Sequence, residues 1–445
     1  MRTLIMNVNI VNEGEVFPGS LLIEDEYIAK IFHENPVEPI TVDETIDAED
    51  KYLLPGIIDD QVHFREPGLE YKEDIATGSA AAVAGGVTSY MDMPNNKPPI
   101  ISCDSLENKY KIAEEKSLAN YSFYFGATND NIDEILKLEK KDVCGIKVFM
   151  GSSTGGMLVD KSAMEIIFKN AALPVAVHSE DEQTIVSQTA RYRKIYGENV
   201  PFKYHSLIRN RDACFKSTVF AIDLAKKYNT RLHLLHLSTL DEMALLENNS
   251  PLMDKQITAE ACIHHLWFTE SDYEEKGGFI KWNPSIKSAD DREAIWHALL
   301  DDRIDLIATD HAPHTIEEKS QTYFKCPSGG PLVQHALYAM LEFNFMQKIS
   351  LENIANKMCH SPAVCFGIKK RGFIREGYFA DLVLLDMNKS WTVNKKNILY
   401  KCGWSVFENQ TFHSSVCTTF VNGVKAYDNG RVTYKSKGKR LLFDR

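Results

Sequence analysis

A chain of 445 residues, 44% hydrophobic and 25% charged, suits one large barrel with a small appendage, or two or three ordinary domains. A net charge of −12, with Lys and Arg spread along the chain, argues against a nucleic-acid-binding surface and offers a membrane no basic face. Nine cysteines stand singly without a Cys-x-x-Cys, so they read as reduced thiols of a cytoplasmic protein; no signal-peptide core or bilayer-length apolar run occurs.

The first 53 residues read as short strands at 4–11, 20–23 and 27–32, with a turn at Gly14. A buried strand over 52–58 follows and ends in the polar tip Asp59-Asp60-Gln61-Val62-His63-Phe64-Arg65. The middle then alternates. Strands are predicted at 86–92, 121–125, 145–150, 173–177, 231–237, 256–260 and 304–309. Helices are predicted over 104–119 (capped by Ser102 or Asp104), from 161 (capped by Asp160) and over 217–228, stopped by Asn229. Near the end, 381–386 reads as a strand, and Asn422-Gly423 between 418–421 and 424–427 is a strong hairpin signal. The expected fold is α/β: a (β/α)8 TIM-like barrel over 54–370, with a small β-sandwich domain built from 1–53 and 371–445. A doubly wound open sheet is the alternative.

The chemistry-bearing residues share a position. His63, Lys147, His178, His236 and Asp310 each stand at or near the C-terminal end of a predicted strand. In a parallel barrel those ends meet on the face that carries active sites. Any one alone reads as a satisfied structural residue; together they read as a metal site. Lys147, on an apolar strand, is costly to bury as an ammonium. It is either salt-bridged or snorkelling, or it is a neutral amine able to form a carbamate between two metals about 3.5–4 Å apart. Metal-binding strands often carry histidines at i and i+2; here the first of the pair is Gln61.

The stretch Ala308-Thr309-Asp310-His311-Ala312-Pro313-His314-Thr315-Ile316-Glu317-Glu318-Lys319 resembles a signature of the dihydroorotases, a cyclic amidohydrolase branch of the amidohydrolase superfamily. Phe64-Arg65-Glu66-Pro67-Gly68, Met93-Pro94-Asn95-Asn96, Trp282-Asn283-Pro284, Gly329-Gly330-Pro331-Leu332-Val333-Gln334 and Gly377-Tyr378-Phe379-Ala380-Asp381-Leu382 follow in family order, so the resemblance spans almost the whole chain. It implies reversible hydrolysis of (S)-dihydroorotate to N-carbamoyl-L-aspartate by a metal-activated hydroxide, with Asp310 as the catalytic proton shuttle. It implies one or two zinc ions held by His63, Lys147 (carboxylated), His178, His236 and Asp310. Arg65, Asn95 and His314 would hold the substrate carboxylate, and Asn283 its ring. Gln61 would weaken the metal shared by His63, Lys147 and Asp310, while that of Lys147, His178 and His236 keeps its ligands.

Among the neighbours, His233 and His311 are expected to face away from the site, and His264 and His265 to be structural or supporting. Asp59 and Asp60 read as structural carboxylates. Residues 315–328 read equally as a lid or an ordinary exposed loop. The expected partner is a small molecule, with no nucleic acid or membrane; a homodimer and an association with aspartate transcarbamoylase fit the resemblance. The competing readings are a hydantoinase, dihydropyrimidinase or allantoinase, and a non-catalytic subunit supporting aspartate transcarbamoylase. Arg65, Asn95 and His314 weigh against the first two enzymes, whose substrates lack a carboxylate.

Overall fold

The computed structural model describes residues 1–34, 36, 40–49, 51–151 and 157–445. Both ends of the chain enter one nine-stranded sheet. The N-terminal part contributes Arg2–Asn12, Glu15–Glu24, Tyr27–Phe32, Glu44–Asp47 and Tyr52–Pro55; the C-terminal part contributes Leu382–Asp386, Ser415–Val421, Val424–Asp428 and Arg431–Val432. Leu382–Asp386 lies antiparallel between Tyr52–Pro55 and Ser415–Val421, so Leu382 faces both Pro55 and Phe420. Ile5, Ile10, Leu21, Leu53, Leu384 and Phe420 pack into one cluster there. The first strand changes neighbours at an irregularity between Ile5 and Val8, where Asn7 has a φ of 53°. Before it, Thr3–Met6 pair with Glu44–Asp47; after it, Asn9 and Ile10 pair with Tyr52 and Leu53. The predicted hairpin forms at Asn422 and Gly423, both left-handed (φ 50° and 76°), as the twist of the flanking strands demands.

Eight parallel strands make the barrel. They are strand one (Ile57–Val62), two (Val87–Asp92), three (Asn120–Phe123 and Phe125–Gly126), four (Ile146–Phe149), five (Val175–His178), six (Leu232–Leu234), seven (Ile257–Cys262) and eight (Leu306–Ala308). Strand three is split because Phe123 pairs with Asp92 on one side, whereas Phe125 pairs with Ile146 on the other. A parallel bridge from Val62 to His311, with the His63 N–H donating to the His311 carbonyl at 2.7 Å, joins strand one to the segment after strand eight. That closure removes the open-sheet alternative. Strand residues facing outward, such as Val148, Val175, Leu232 and Leu234, pack under the helices in the main core.

Helix caps follow the sequence closely. Ser102 caps Cys103–Lys116 and Asp160 caps Lys161–Asn170, each side chain accepting a backbone N–H one turn in. The helix before strand six starts at Arg211, earlier than expected, because Asn210 accepts from the Ala213 N–H and caps it there. It stops at Asn229, with a φ of 54°. Strands six and eight are shorter than predicted, ending at Leu234 and Ala308. Among the described residues no helix is long and apolar enough to cross a membrane.

Candidate active site

Gln61, His63, Arg65, Lys147, His178, His236, Asn283 and Asp310 all line one cavity of about 30 Å³, at the C-terminal ends of the strands. The other two predicted site residues stand one layer behind. Asn95 Oδ1 lies 2.7 Å from His63 Nδ1. His314 is fully buried, with Nε2 3.1 Å from an Arg65 guanidinium nitrogen and Nδ1 accepting from Lys72 Nζ at 2.9 Å. A larger cavity of about 550 Å³ opens at the opposite end of the barrel. Its lysines are already paired there, Lys255 with Asp305 and Lys357 with Asp302, each at 2.7 Å.

The histidines converge as neutral rings. His178 Nδ1 and His236 Nε2 are 3.0 Å apart. Burial lowers the pKa of both, and His236 is pushed further by the charges of His178 and Lys147. Glu180 Oε2 sits 3.0 Å from His178 Nε2, which favours the proton on that nitrogen and leaves Nδ1, the atom facing His236, as the acceptor. Burial opposes the Glu180 charge, but the Arg209 guanidinium prevails and holds its pKa at about 2. Lys147 is fully buried, and loss of hydration brings its ammonium down to about 7 despite attraction from Glu260 and Asp310. Among the described residues Lys147 Nζ has no hydrogen-bond partner; it lies 4.8 Å from the Phe149 ring. His63 Nε2 is 3.1 Å from Asp310 Oδ1, and Gln61 Nε2 donates to the same oxygen at 3.3 Å. The imidazoles of His63, His178 and His236, the Lys147 amine and the Asp310 carboxyl form a nitrogen and oxygen donor set that fits zinc.

Comparison with known proteins bears on this arrangement. Residues 52–426 match the model of the amidohydrolase family. The chain belongs to the amidohydrolase family. A dihydroorotase from Methanosarcina acetivorans is 32% identical over 420 residues, covering 91% of this chain and 87% of that one. An allantoinase from Deinococcus radiodurans is 30% identical over 411 residues, covering 89% of this chain and 90% of that one. In three dimensions an L-hydantoinase from Arthrobacter aurescens superposes with a TM-score of 0.91 at 24% identity, covering 99% of each chain.

Three residues of this amidohydrolase site have left-handed backbone: Arg65 (φ 65°), His236 (φ 38°) and Asp310 (φ 47°). Side chains with a Cβ adopt that region rarely, and it recurs where function demands a particular aim. Each lies just past a strand end. Arg65 is the centre of a tight turn, the Glu66 N–H donating to the Phe64 carbonyl at 2.8 Å. At Asp310, the preceding Thr309 is pinned by Asp59, which accepts from its N–H and hydroxyl at 3.2 and 2.6 Å. Asp59 is thus the structural carboxylate expected.

His233 departs from expectation. Because strand six ends at Leu234 and the chain turns at His236, alternation fails, and His233 also points into the barrel. Its Nε2 lies 3.2 Å from Asp60 Oδ2 and 3.3 Å from Glu260 Oε2. The donor atoms of the three lie within 4.8 Å of one another, a spacing a cation could bridge; as placed, the imidazole does the bridging. Burial opposes the His233 charge, yet the bond to Asp60 carries its pKa well upward. Glu260 closes the predicted strand 256–260 and Glu180 follows 173–177, but carboxylates are common at such places and neither stands in a metal-type spacing, so the sequence does not single them out. His311 faces away, its Nδ1 accepting from the Leu332 N–H at 2.9 Å. His264 stacks on Trp282 at 4.5 Å, and His265 Nε2 donates to the Pro284 carbonyl at 3.2 Å; both serve packing.

The segment after strand eight is anchored, so it is no ordinary exposed loop. Thr315 caps the short helix Ile316–Lys319. Lys319 Nζ, buried, donates to the carbonyls of Lys281, Pro327 and Gly329 at 3.3, 2.9 and 2.7 Å. Lys281 Nζ donates to the carbonyls of Tyr323 and Cys326 at 2.7 and 2.6 Å. The segment delivers Ser328 and Gly329 to the cavity wall, where Ser328 Oγ donates to Asn283 Oδ1 at 2.9 Å. From the C-terminal part of the chain, Trp404 Nε1 donates to the His314 carbonyl at 2.7 Å.

Proposed function

We propose that this amidohydrolase is a dihydroorotase, interconverting (S)-dihydroorotate and N-carbamoyl-L-aspartate in the cytoplasm as a step of pyrimidine synthesis. The observation that carries this reading is Arg65. Its guanidinium is buried at the cavity wall, with Nε donating to the Pro313 carbonyl at 3.0 Å. Burial lowers its pKa only to about 10, so it stays cationic at neutral pH. A fixed guanidinium facing the ligand cluster suits a substrate with a carboxylate beside a cyclic imide. Hydantoin and dihydropyrimidine rings lack that carboxylate.

His63, Lys147 and Asp310 would hold one zinc, and Lys147, His178 and His236 another, the first weakened by Gln61. A divalent metal bound there supplies polarisation of the ring carbonyl and a water that ionises near neutrality. Lys147 is suited to carboxylation: as a free amine its nitrogen adds to carbon dioxide, loses a proton and becomes an anionic, two-oxygen ligand. Asp310 takes a proton from the attacking water and returns it to the departing ring nitrogen. Asn283 would contact the ring, His314 would support the carboxylate through Arg65, and Asn95, 2.7 Å from His63 Nδ1, would aim that metal ligand.

The test is turnover of dihydroorotate, hydantoin and allantoin by purified protein, with its metal content measured. Dihydroorotate is expected to be preferred; preference for either of the others sinks the reading. Gln61 gives one specific reason to weigh a non-catalytic subunit that supports aspartate transcarbamoylase. Absence of both metal and turnover would favour that alternative.

A further inference from the structure

His236 is aimed by a backbone that histidine seldom adopts, with a φ of 38°. Such a conformation persists where neighbours over-determine it. Glu260 is that neighbour. Its Oε1 accepts the His236 N–H at 2.9 Å, and its backbone carbonyl accepts the Leu237 N–H at 3.2 Å. Glu260 therefore grips the turn from two sides. The second carboxylate oxygen is held in turn, Oε2 lying 3.3 Å from His233 Nε2, for which Asp60 Oδ2 competes at 3.2 Å. His233 is itself fixed through Nδ1, 2.8 Å from Thr258 Oγ1. Asp60, His233 and Glu260 are all fully buried. At the far end of this chain of contacts, His236 Nε2 sits 3.0 Å from His178 Nδ1.

We infer that Glu260, held by His233, is a positioning residue for the metal held by Lys147, His178 and His236, acting through its hydrogen bond to the His236 backbone. The inference rests on the reading that those three residues bind a metal. Glu260 also attracts the Lys147 ammonium, so a role through charge is the rival to separate.

Two conservative variants make the separation. Glu260→Gln keeps an acceptor of the same reach but loses the charge. Glu260→Asp keeps the charge but falls one methylene short of the His236 N–H. Zinc affinity is measured by chelator competition, alongside the visible spectrum of the cobalt-substituted protein. Glu260→Gln, which keeps the acceptor for His236 but loses the one facing His233, should weaken zinc about threefold, and Glu260→Asp about thirtyfold or more with altered cobalt bands. Equal affinities in the two variants, or weaker binding in Glu260→Gln, overturns the inference. Should either variant fail to fold, His233→Gln serves instead: a loss of about threefold or more is expected from the unclamped carboxylate, and unchanged affinity overturns the proposal. His236→Ala in the same titration tests the metal reading separately. Full affinity there removes the reading itself, whatever Glu260 does.

Discussion

The amide nitrogen of Gln61 donates to Asp310 Oδ1 across 3.3 Å, and His63 Nε2 is 3.1 Å from that same oxygen. A neutral amide thus occupies a position where a second imidazole would offer a lone pair. An amide oxygen is a poorer zinc ligand than imidazole. Metal titration of the parent should show one tight ion per chain, and Gln61→His should tighten the second about tenfold or more. Two equally tight ions in the parent would count against this.

Arg65→Met would remove the proposed charge-assisted contact to the substrate carboxylate. Such bonds contribute about 1.5–3 kcal/mol, so kcat/KM for dihydroorotate should fall roughly 10- to 150-fold, mainly through KM. Any residual turnover of hydantoin, which has no carboxylate, should be unchanged. An equal loss on both substrates would show that Arg65 holds the wall together and does not read the substrate.

Lys147 links the site to pH. In the folded, metal-free protein its pKa is near 7, against 10.5 for the free side chain. Below about 7 folded and unfolded chains both carry the proton, and the burial penalty is present in full. Between about 7 and 10.5 the unfolded chain binds more protons, so this group makes stability rise with pH. Lys147→Met should therefore raise the Tm of metal-free protein kept free of carbon dioxide. The gain should be largest below about pH 7 and shrink toward pH 10. A gain that is flat with pH would contradict the shift.

Lys319 holds the segment beside the cavity by three carbonyls. Lys319→Met leaves them without that donor, at about 1–3 kcal/mol for a buried unpaired group. Limited proteolysis should cut within 315–329 at least about fivefold faster than in the parent, with KM raised. Cleavage at the parent rate would show that the segment is held by other contacts.

How much of this was legible beforehand depended on regular backbone. His63, Lys147, His178, His236 and Asp310 are readable because each stands on or just past an apolar strand, and parallel strand ends converge. Asn210 and Ala213 set a helix start that hydrophobic periodicity placed too late. Counting alternate residues turns His233 the wrong way, because strand six stops at Leu234 and His236 turns left-handed. The burial of His314 against Arg65 is a tertiary fact that no spacing reports. The anchored segment after strand eight depends on Lys281 and Lys319, whose partners are carbonyls and leave no trace in side-chain pattern.

The shared sheet imposes an order on biosynthesis. Tyr52–Pro55 receives Leu382–Asp386 along its edge, and that strand is in turn flanked by Ser415–Val421. As the chain leaves the ribosome, the N-terminal strands must wait through the entire barrel with that edge unpaired. Open edges of this kind recruit foreign strands. Nascent chains stalled between the two halves should therefore be the aggregation-prone species, and release past Val421 the moment that hazard ends.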